Sequence, residues 1–272
     1  MSTTFHNRSA EAYDQGMGRW SQRLAAPFIA FAGLADGERI IDVGCGTGSL
    51  TFALPQAANV AQVAAIDYSE NFVEVARSKN SDPRITIERA DACALPFADA
   101  SFDRAVSLLV LQFIPDSERA VAEMCRVVRP GGTVAAAVWD TSGGMTVQQM
   151  FWDAAVAVDP TLATARGEFY IRPMTQPSEM ETLWTQLGLN DVKESKLAIQ
   201  VEYECFDAYW APLCAGHSTL GKVVIGLSEN LRNRLKQALR EAYEGSQPDG
   251  SRSFTAVALA CRGVVPPTIK QL

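Results

Sequence analysis

Histidine is scarce in this sequence, and its cysteines are not arranged in pairs. Only two of the 272 residues are histidine, His6 and His217, and the six cysteines include no C-x-x-C pair. Structural zinc sites and redox-active dithiols depend on such spacings, so we expect no metal site. The scattered cysteine positions also give no sign of a disulfide framework. We therefore expect reduced thiols in a cytoplasmic protein.

Long apolar runs and an excess of positive charge are also missing. The longest apolar run, 105–114, is interrupted by Ser107 and Gln112 and is too short to cross a bilayer. The first 15 residues are polar and lack the apolar stretch of a signal peptide. With 24 Lys and Arg against 31 Asp and Glu, the formal net charge is −7, which opposes binding to phosphate backbones. We expect no transmembrane segment and no nucleic-acid partner. The sequence favours a small-molecule partner and leaves the oligomeric state open.

What the sequence does contain is a regular alternation of short apolar strands and helical stretches. The predicted strands of the first half are 39–43, 62–67, 84–90, 102–109 and 133–139. Runs this apolar are typical of strands buried on both faces, as in a parallel sheet. Repeated strand–helix–strand units predict right-handed crossovers and a doubly wound, mostly parallel α/β sheet. Two later strands, about 192–203 and 253–262, would extend this sheet to seven strands.

The alternation breaks after Trp139, and this break suggests how the chain is divided. We predict leader helices at 1–36 and a ligand-binding core at 37–140. Helical insertions at 141–175 and 205–245 would form a cap at the carboxyl ends of the strands, where open α/β sheets bind ligands. The remaining helix and the late strands, at 176–204 and 246–272, would complete the core.

Local patterns in the later half predict individual helices. Between two predicted loops, 147–158 reads as helical. Ser178 and Glu181 have the spacing of a capping box at the start of another helix, which Gly188 would end.

The most informative motif is a glycine-rich turn directly after the first strand, with the sequence DVGCGTG at 42–48. Glycines let the backbone approach a ligand closely and adopt positive φ. The dinucleotide fingerprint G-x-G-x-x-G would need glycine at position 49, where this chain has Ser49. The acidic Asp42 is a further departure from that fingerprint. The turn suits a nucleoside with an amino-acid tail, and a nicotinamide-dependent oxidoreductase is the weaker alternative.

This turn resembles motif I of the class I S-adenosylmethionine-dependent methyltransferases, and the segments that follow match the same family in order. They include Asp67, the pair Asp91-Ala92, and the segments 95–97, 102–103 and 129–132. The last three are similar to segments of small-molecule and quinone-biosynthesis methyltransferases. The resemblance covers about 10–140 and implies S-adenosylmethionine as the cofactor and S-adenosylhomocysteine as the product.

The resemblance also implies roles for individual residues. Asp67 would accept hydrogen bonds from the ribose hydroxyls, while Asp91 and the Ala92 backbone would meet the adenine. Arg19, on the leader, could pair with the cofactor carboxylate through its two-pronged guanidinium. The predicted cofactor-binding residues are Tyr13, Arg19, Asp42, Gly44, Cys45, Gly46, Thr47, Asp67, Tyr68, Asp91, Ala92, Ser107 and Leu108.

The acceptor side is less constrained by the sequence. The predicted acceptor-binding residues are Gln112, Phe113, Trp139, Trp210 and His217. We assign no catalytic base, because a sulfonium is already an activated methyl donor and alignment alone can supply roughly 7–11 kcal/mol. The predicted function is in-line methyl transfer to a small molecule. A module that binds S-adenosylmethionine without catalysis is the alternative, since binding and chemistry would share the same residues.

Overall fold

A seven-stranded sheet forms the centre of the molecule. The structure, a computed structural model, describes residues 14–216 and 218–267, with the side chain of residue 15 left out. The strands are β1 (Arg39–Val43), β2 (Gln62–Asp67), β3 (Ile85–Arg89), β4 (Phe102–Leu108), β5 (Val128–Trp139), β6 (Asn190–Tyr203) and β7 (Arg252–Val264). Their order is β3-β2-β1-β4-β5-β7-β6. Strands β1 to β5 pair in parallel, and β7 runs antiparallel to β5 and β6. The predicted fold class is confirmed.

Helices lie on both faces of the sheet and beyond its later strands. They are α1 (Arg19–Ala32), α2 (Leu54–Ala57), α3 (Glu70–Lys79), α4 (Ser117–Val127), α5 (Thr146–Val158), α6 (Ala163–Tyr170), α7 (Glu179–Gln186), α8 (Phe206–Cys214), α9 (Thr219–Gly226) and α10 (Glu229–Glu244). A π-helical turn, Asp14–Gly18, precedes α1. Short 3₁₀ turns occupy Leu111–Phe113 and Pro160–Leu162.

The sheet has a hydrophobic core on each face because successive side chains of a strand point to opposite sides. In β1, Ile40 packs in the cluster that contains α1, whereas Ile41 packs in the cluster that contains α4 and α7. Both side chains are fully buried. This burial on two faces explains why the strands of the first half are almost continuously apolar.

A buried ion pair fixes the end of α1 to the sheet. Arg104 of β4 donates from Nε and Nη2 to the two carboxylate oxygens of Glu38, at 2.8 and 2.7 Å. The same guanidinium donates to the carbonyl oxygens of Ala32 and Gly33, at the end of α1. The opposite end of α1 reaches the site described below, so this contact helps to set its position.

The two late insertions pack against each other around a third hydrophobic cluster. Trp152 of α5, Phe206 of α8 and Leu239 of α10 are at most 1 % exposed within it. Helices α5 and α10 are in direct contact. Segments that are far apart in the chain therefore share one apolar core.

Three local predictions need correction. Ser178 makes no capping hydrogen bond: its φ is +66°, and its N–H donates to Glu194 instead. Helix α6 lies where a loop was expected, because its only buried residue, Phe169, leaves no apolar stripe to detect. Strand β5 begins at Val128, and 129–132 bulge from it, since Phe102 pairs with Val128 but Arg104 pairs with Thr133.

Among the described residues, no helix is both long enough and apolar enough to cross a membrane. The same part of the chain holds no group of three or more His, Cys, Asp or Glu side chains that could hold a metal ion.

Candidate active site

A cavity of about 1010 Å³ lies where the parallel strands end. Its floor includes Asp42 of β1, Asp67 of β2, Leu108 of β4 and Trp139 of β5. The leader contributes residues 16, 17 and 19–21, and both late insertions contribute side chains to the opposite wall. Carboxyl ends of strands in an open α/β sheet are the usual place for a ligand.

The glycine turn after β1 is packed tightly at its ends and open in its middle. Gly44 and Cys45 both donate to the carbonyl of Ile66, at 2.8 Å. Gly44 has a φ of +80°, and a Cβ there would come within 2.4 Å of Val110. Gly46 has a φ of +55°, yet no atom lies within 4 Å of the place its Cβ would occupy. Gly46 therefore presents bare backbone to open space, as a close-fitting ligand requires.

Asp67 joins the glycine turn to the turn after β2. Its Oδ2 accepts from the Gly46 N–H at 2.9 Å, and its Oδ1 accepts from the Ser69 N–H at 2.8 Å. Burial raises the pKa of Asp67, although hydrogen bonds from backbone N–H groups oppose this rise. Each carboxylate oxygen keeps a second lone pair for a ligand hydroxyl.

Asp42 lies below the glycine turn and is 1 % exposed. Thr51 donates to its Oδ2 at 2.6 Å, whereas its Oδ1 has no hydrogen-bond partner among the described residues. Burial raises the pKa of Asp42 from 3.8 to about 7, the Thr51 hydrogen bond opposes the rise, and repulsion from Asp67 adds to it. The two carboxylates give this end of the cavity a negative character.

The leader is attached to the glycine turn through Asp14. Its carboxylate accepts from the Thr47 hydroxyl with one oxygen and from Lys79 Nζ of α3 with the other. The sequence analysis assigned no role to Asp14, although an acidic side chain within a predicted leader could have suggested this contact.

Arg19 also reaches the cavity from the leader. Its guanidinium lies over the rings of Trp20 and Tyr203, at 4.0 and 5.1 Å from their centroids. Its Nε is buried without a hydrogen-bond partner among the described residues. A buried donor that lines the cavity and has no partner among the described residues suits an anionic group of a ligand.

The opposite wall is mostly apolar. Gln112 and Phe113 line it together with Tyr209 of α8, while Trp139 belongs to the floor. Burial raises the pKa of Tyr209, so its phenol stays protonated at neutral pH and is not available as a base. Arg172, which the sequence analysis missed, lines the same wall and lies over Phe113. No local pattern marked it, because it is a single arginine in an irregular segment.

Most of the residues proposed from the sequence meet in this cavity. The lining includes Arg19, Asp42, Gly44, Cys45, Gly46, Thr47, Asp67, Tyr68, Asp91, Ala92, Leu108, Gln112, Phe113 and Trp139. Tyr13 and His217 lie outside the described residues.

Ser107 and Trp210 do not line the cavity. The Ser107 hydroxyl donates to the carbonyl of Val43 at 2.8 Å, inside the sheet. The Trp210 ring stacks on Phe206 with an angle of 13° between the planes and belongs to the core of the insertions. Neighbouring helical residues point about 100° apart, so Tyr209 faces the cavity and Trp210 does not.

Comparison with known proteins identifies a methyltransferase domain. Residues 41–136 match the family model described as a methyltransferase domain. An uncharacterized protein of Mycobacterium tuberculosis is 28% identical over 228 residues, which is 82% of each chain. The demethylmenaquinone methyltransferase of Staphylococcus aureus is 40% identical over 104 residues, which is 38% of this chain and 43% of the relative.

Solved structures share the fold. Phosphoethanolamine N-methyltransferase 2 of Haemonchus contortus, in complex with S-adenosyl-L-methionine, superposes with a TM-score of 0.59 at 19% identity. The superposition covers 96% of this chain and 59% of that one. Residues 41–136, which hold the glycine turn and most of the first five strands, are therefore a methyltransferase domain.

Proposed function

We propose that the protein transfers a methyl group from S-adenosylmethionine to a small-molecule acceptor enclosed between the sheet and the late insertions. The observation that supports this proposal best is that the glycine turn and both insertions line one cavity of about 1010 Å³. Ligand pockets usually measure roughly 300–1,000 Å³. A cavity at the top of that range has room for a second molecule beside the cofactor.

The residues at the negative end of the cavity fit this cofactor. Asp67 would accept from the ribose hydroxyls, and Gly46 leaves space for close approach. The Nε of Arg19, which has no partner among the described residues, would donate a hydrogen bond to the cofactor carboxylate. Asp91 and Ala92 would contact the adenine. The carboxylates Asp42 and Asp67 favour the positive charge of a sulfonium nearby.

The chain's own task in the reaction is then binding and alignment. S-adenosylmethionine supplies an activated methyl group on a sulfonium when it is bound. Gln112, Phe113 and Trp139 would orient the acceptor, and the cap, made of 141–175 and 205–245, would exclude water. Among the described residues that the cap contributes to the cavity, none is a carboxylate. We therefore propose in-line transfer that relies on positioning rather than on a carboxylate base in the cap.

Incubation with S-adenosylmethionine carrying a deuterated methyl group, together with a fractionated metabolite extract, tests this function. We expect a small molecule to gain the labelled methyl group while S-adenosylhomocysteine accumulates. The Gly46→Val variant is the control, because its β-branched side chain would enter the cofactor space. Labelling confined to protein or nucleic acid would contradict a small-molecule acceptor. Binding without any turnover would favour a module that only binds the cofactor.

A thermal-shift titration tests the choice of cofactor. A ligand present at 100 times its Kd stabilises the folded state by about 2.7 kcal/mol. We expect S-adenosylmethionine and S-adenosylhomocysteine to raise the Tm and NAD to leave it unchanged. A shift with NAD alone would be inconsistent with the proposed site.

A further inference from the structure

Arg172 occupies a well-defined position between α6 and α7. The hydroxyl of Thr175 donates to the carbonyl of Arg172 at 2.8 Å. The hydroxyl of Thr141, in the first insertion, donates to the Thr175 hydroxyl, also at 2.8 Å. Thr141 and Thr175 are both buried. The backbone that carries Arg172 is therefore held by a chain of buried hydrogen bonds.

The guanidinium of Arg172 lies against two aromatic rings and has no anionic partner within the described part of the chain. Its central carbon lies 4.9 Å from the ring centroid of Phe113 and 5.2 Å from that of Phe169. Within 14–216 and 218–267, its side chain makes no hydrogen bond or ion pair. Burial lowers the pKa of Arg172, which shows that the charge is partly desolvated. A guanidinium nevertheless stays protonated in proteins, so this wall holds a positive charge that no described residue compensates.

Charge is distributed unequally over the cavity. Among the described residues, four acidic ones line it: Asp42 of β1, Asp67 of β2, Glu70 of α3 and Asp91, which follows β3. Two arginines, Arg19 and Arg89, line the same side. Within its described residues, the cap contributes only two charged residues to the lining, Arg172 and Lys222. Both are positive. The acceptor side thus combines an apolar, aromatic surface with positive charge, opposite to the negative cofactor side.

We propose that the acceptor is a carboxylate-bearing molecule with an apolar body, and that Arg172 binds its carboxylate; this inference rests on the methyl transfer proposed above. The planar guanidinium fork can donate two parallel hydrogen bonds to a carboxylate. One partly buried cation balances one negative charge, which favours a carboxylate over a phosphate dianion. Lys222 is exposed and would attract the anion without enclosing it. Phe113 and Phe169 hold the fork in place and contact the apolar body.

The test compares two probes that differ in charge, 2-naphthoate and its neutral amide, 2-naphthamide. Each is titrated calorimetrically into the wild-type protein saturated with S-adenosylhomocysteine. We expect the carboxylate to bind at least about tenfold more tightly than the amide, as charge-assisted hydrogen bonds predict. In Arg172→Gln this preference should vanish, and in Arg172→Lys part of it should remain, because a point charge survives without the fork.

Controls separate this inference from the proposed function. Arg166→Gln alters a nearby arginine of α6 that is paired with Asp153 at 2.8 Å and does not line this cavity, so the preference should stay. Arg172→Gln should keep wild-type affinity for S-adenosylhomocysteine. A wild-type protein that does not bind S-adenosylhomocysteine would overturn the proposed function itself. If S-adenosylhomocysteine binds but the carboxylate binds no better than the amide, or the preference survives in Arg172→Gln, only the role of Arg172 is wrong.

Discussion

At the scale of single residues, the two carboxylates at the negative end of the cavity are held in different ways. Asp67 accepts two backbone hydrogen bonds, from Gly46 and Ser69. Asp42 accepts a hydrogen bond from the Thr51 hydroxyl with its Oδ2, and its Oδ1 has no partner among the described residues. Asp67 can therefore bind a ligand while it holds the glycine turn and the turn after β2 in place. Asp42, in contrast, is a buried group whose charge is poorly compensated.

Asp67→Ala tests the proposed ribose contact. Removing the carboxylate takes away the acceptor for the ligand hydroxyls and for the Gly46 N–H. We expect the Kd for S-adenosylhomocysteine, measured by calorimetry, to rise roughly 10- to 150-fold, the equivalent of about 1.5–3 kcal/mol. Asp82→Ala is a matched control, since Asp82 pairs with Arg84 in the turn before β3 and does not line the cavity. A folded Asp67→Ala protein with wild-type affinity would remove Asp67 from the site.

The raised pKa of Asp42 predicts a pH-dependent stability. Because the folded state holds the proton more strongly than the unfolded chain, stability from this group is complete below about pH 3.8 and is lost as pH rises to about 7. Asp42→Asn cannot ionise. Its free energy of unfolding, measured by denaturant titration, should rise relative to wild type between pH 4 and pH 7, by a few kcal/mol at most, and then level off.

Asp103→Asn provides the control of opposite sign. Burial raises the pKa of Asp103, but hydrogen bonds from the Arg39 N–H and the Arg129 guanidinium outweigh it and lower the pKa overall. Asp103→Asn should therefore be less stable than wild type near neutral pH, and this difference should shrink as the pH falls below 4. A flat difference between wild type and Asp42→Asn would show that Asp42 is not desolvated.

At the scale of elements, the glycine turn combines positions that need glycine for different reasons. Gly44 and Gly48 have no room for a Cβ, which would meet Val110 and Phe52 respectively. At Gly46 the space is open, and only the positive φ opposes a side chain. The middle glycine is thus the position where binding can be changed with little effect on packing.

Gly46→Ala should separate binding from folding. Gly37→Ala is a close control, because Gly37 also has a positive φ of 79° and open space at its Cβ position but does not line the cavity. Both variants should lose about 1 kcal/mol of stability from the strained backbone. Only Gly46→Ala should bind S-adenosylhomocysteine more weakly in calorimetry. Equal affinities of the two variants would mean that the turn does not contact the cofactor.

At the scale of the whole molecule, two coverings, the leader and the cap, line the cavity at the carboxyl ends of the strands. The leader is attached to the glycine turn through Asp14, whereas the cap has its own apolar core around Trp152 and Phe206. Since the leader is hydrogen-bonded to the glycine turn and the cap packs around its own core, we expect each of them to respond to a different ligand.

Hydrogen exchange measured by mass spectrometry tests this division. We expect S-adenosylhomocysteine alone to protect 14–32, and expect 205–245 to gain protection only when 2-naphthoate is added as well. Strands β1 and β4 serve as the internal reference and should not change. If 205–245 is already as protected as these strands in the free protein, and no ligand alters it, the cap is a fixed extension. If 205–245 gained protection with S-adenosylhomocysteine alone and 14–32 only after 2-naphthoate was added, our assignment of these two segments to their ligands would be wrong.

The sequence was sufficient for the central sheet and for the cofactor motifs. Strands β1 and β2 have the predicted bounds, because double-sided burial leaves an apolar signal that local reading detects. The sequence predicted the local structure of the cap and of the helix that follows it less well. Helix α6 buries only Phe169, and at Ser178 the tertiary contact with Glu194 prevails over the capping-box pattern.

The sequence by itself determined the resemblance to methyltransferases, through the motif at 42–48 together with Asp67 and the pair Asp91-Ala92, and it indicated the end of the sheet where the cavity lies. It could do so because the residues that shape a glycine turn are consecutive in the chain. The tertiary structure alone decided which distant side chains face that cavity. Tyr209 lines it while Trp210 does not, and Asp14 contacts Thr47 across 33 positions of sequence. Arg172 lies over Phe113 although 59 positions separate them. Such contacts depend on how helices and strands pack, and no spacing along the chain encodes that arrangement locally.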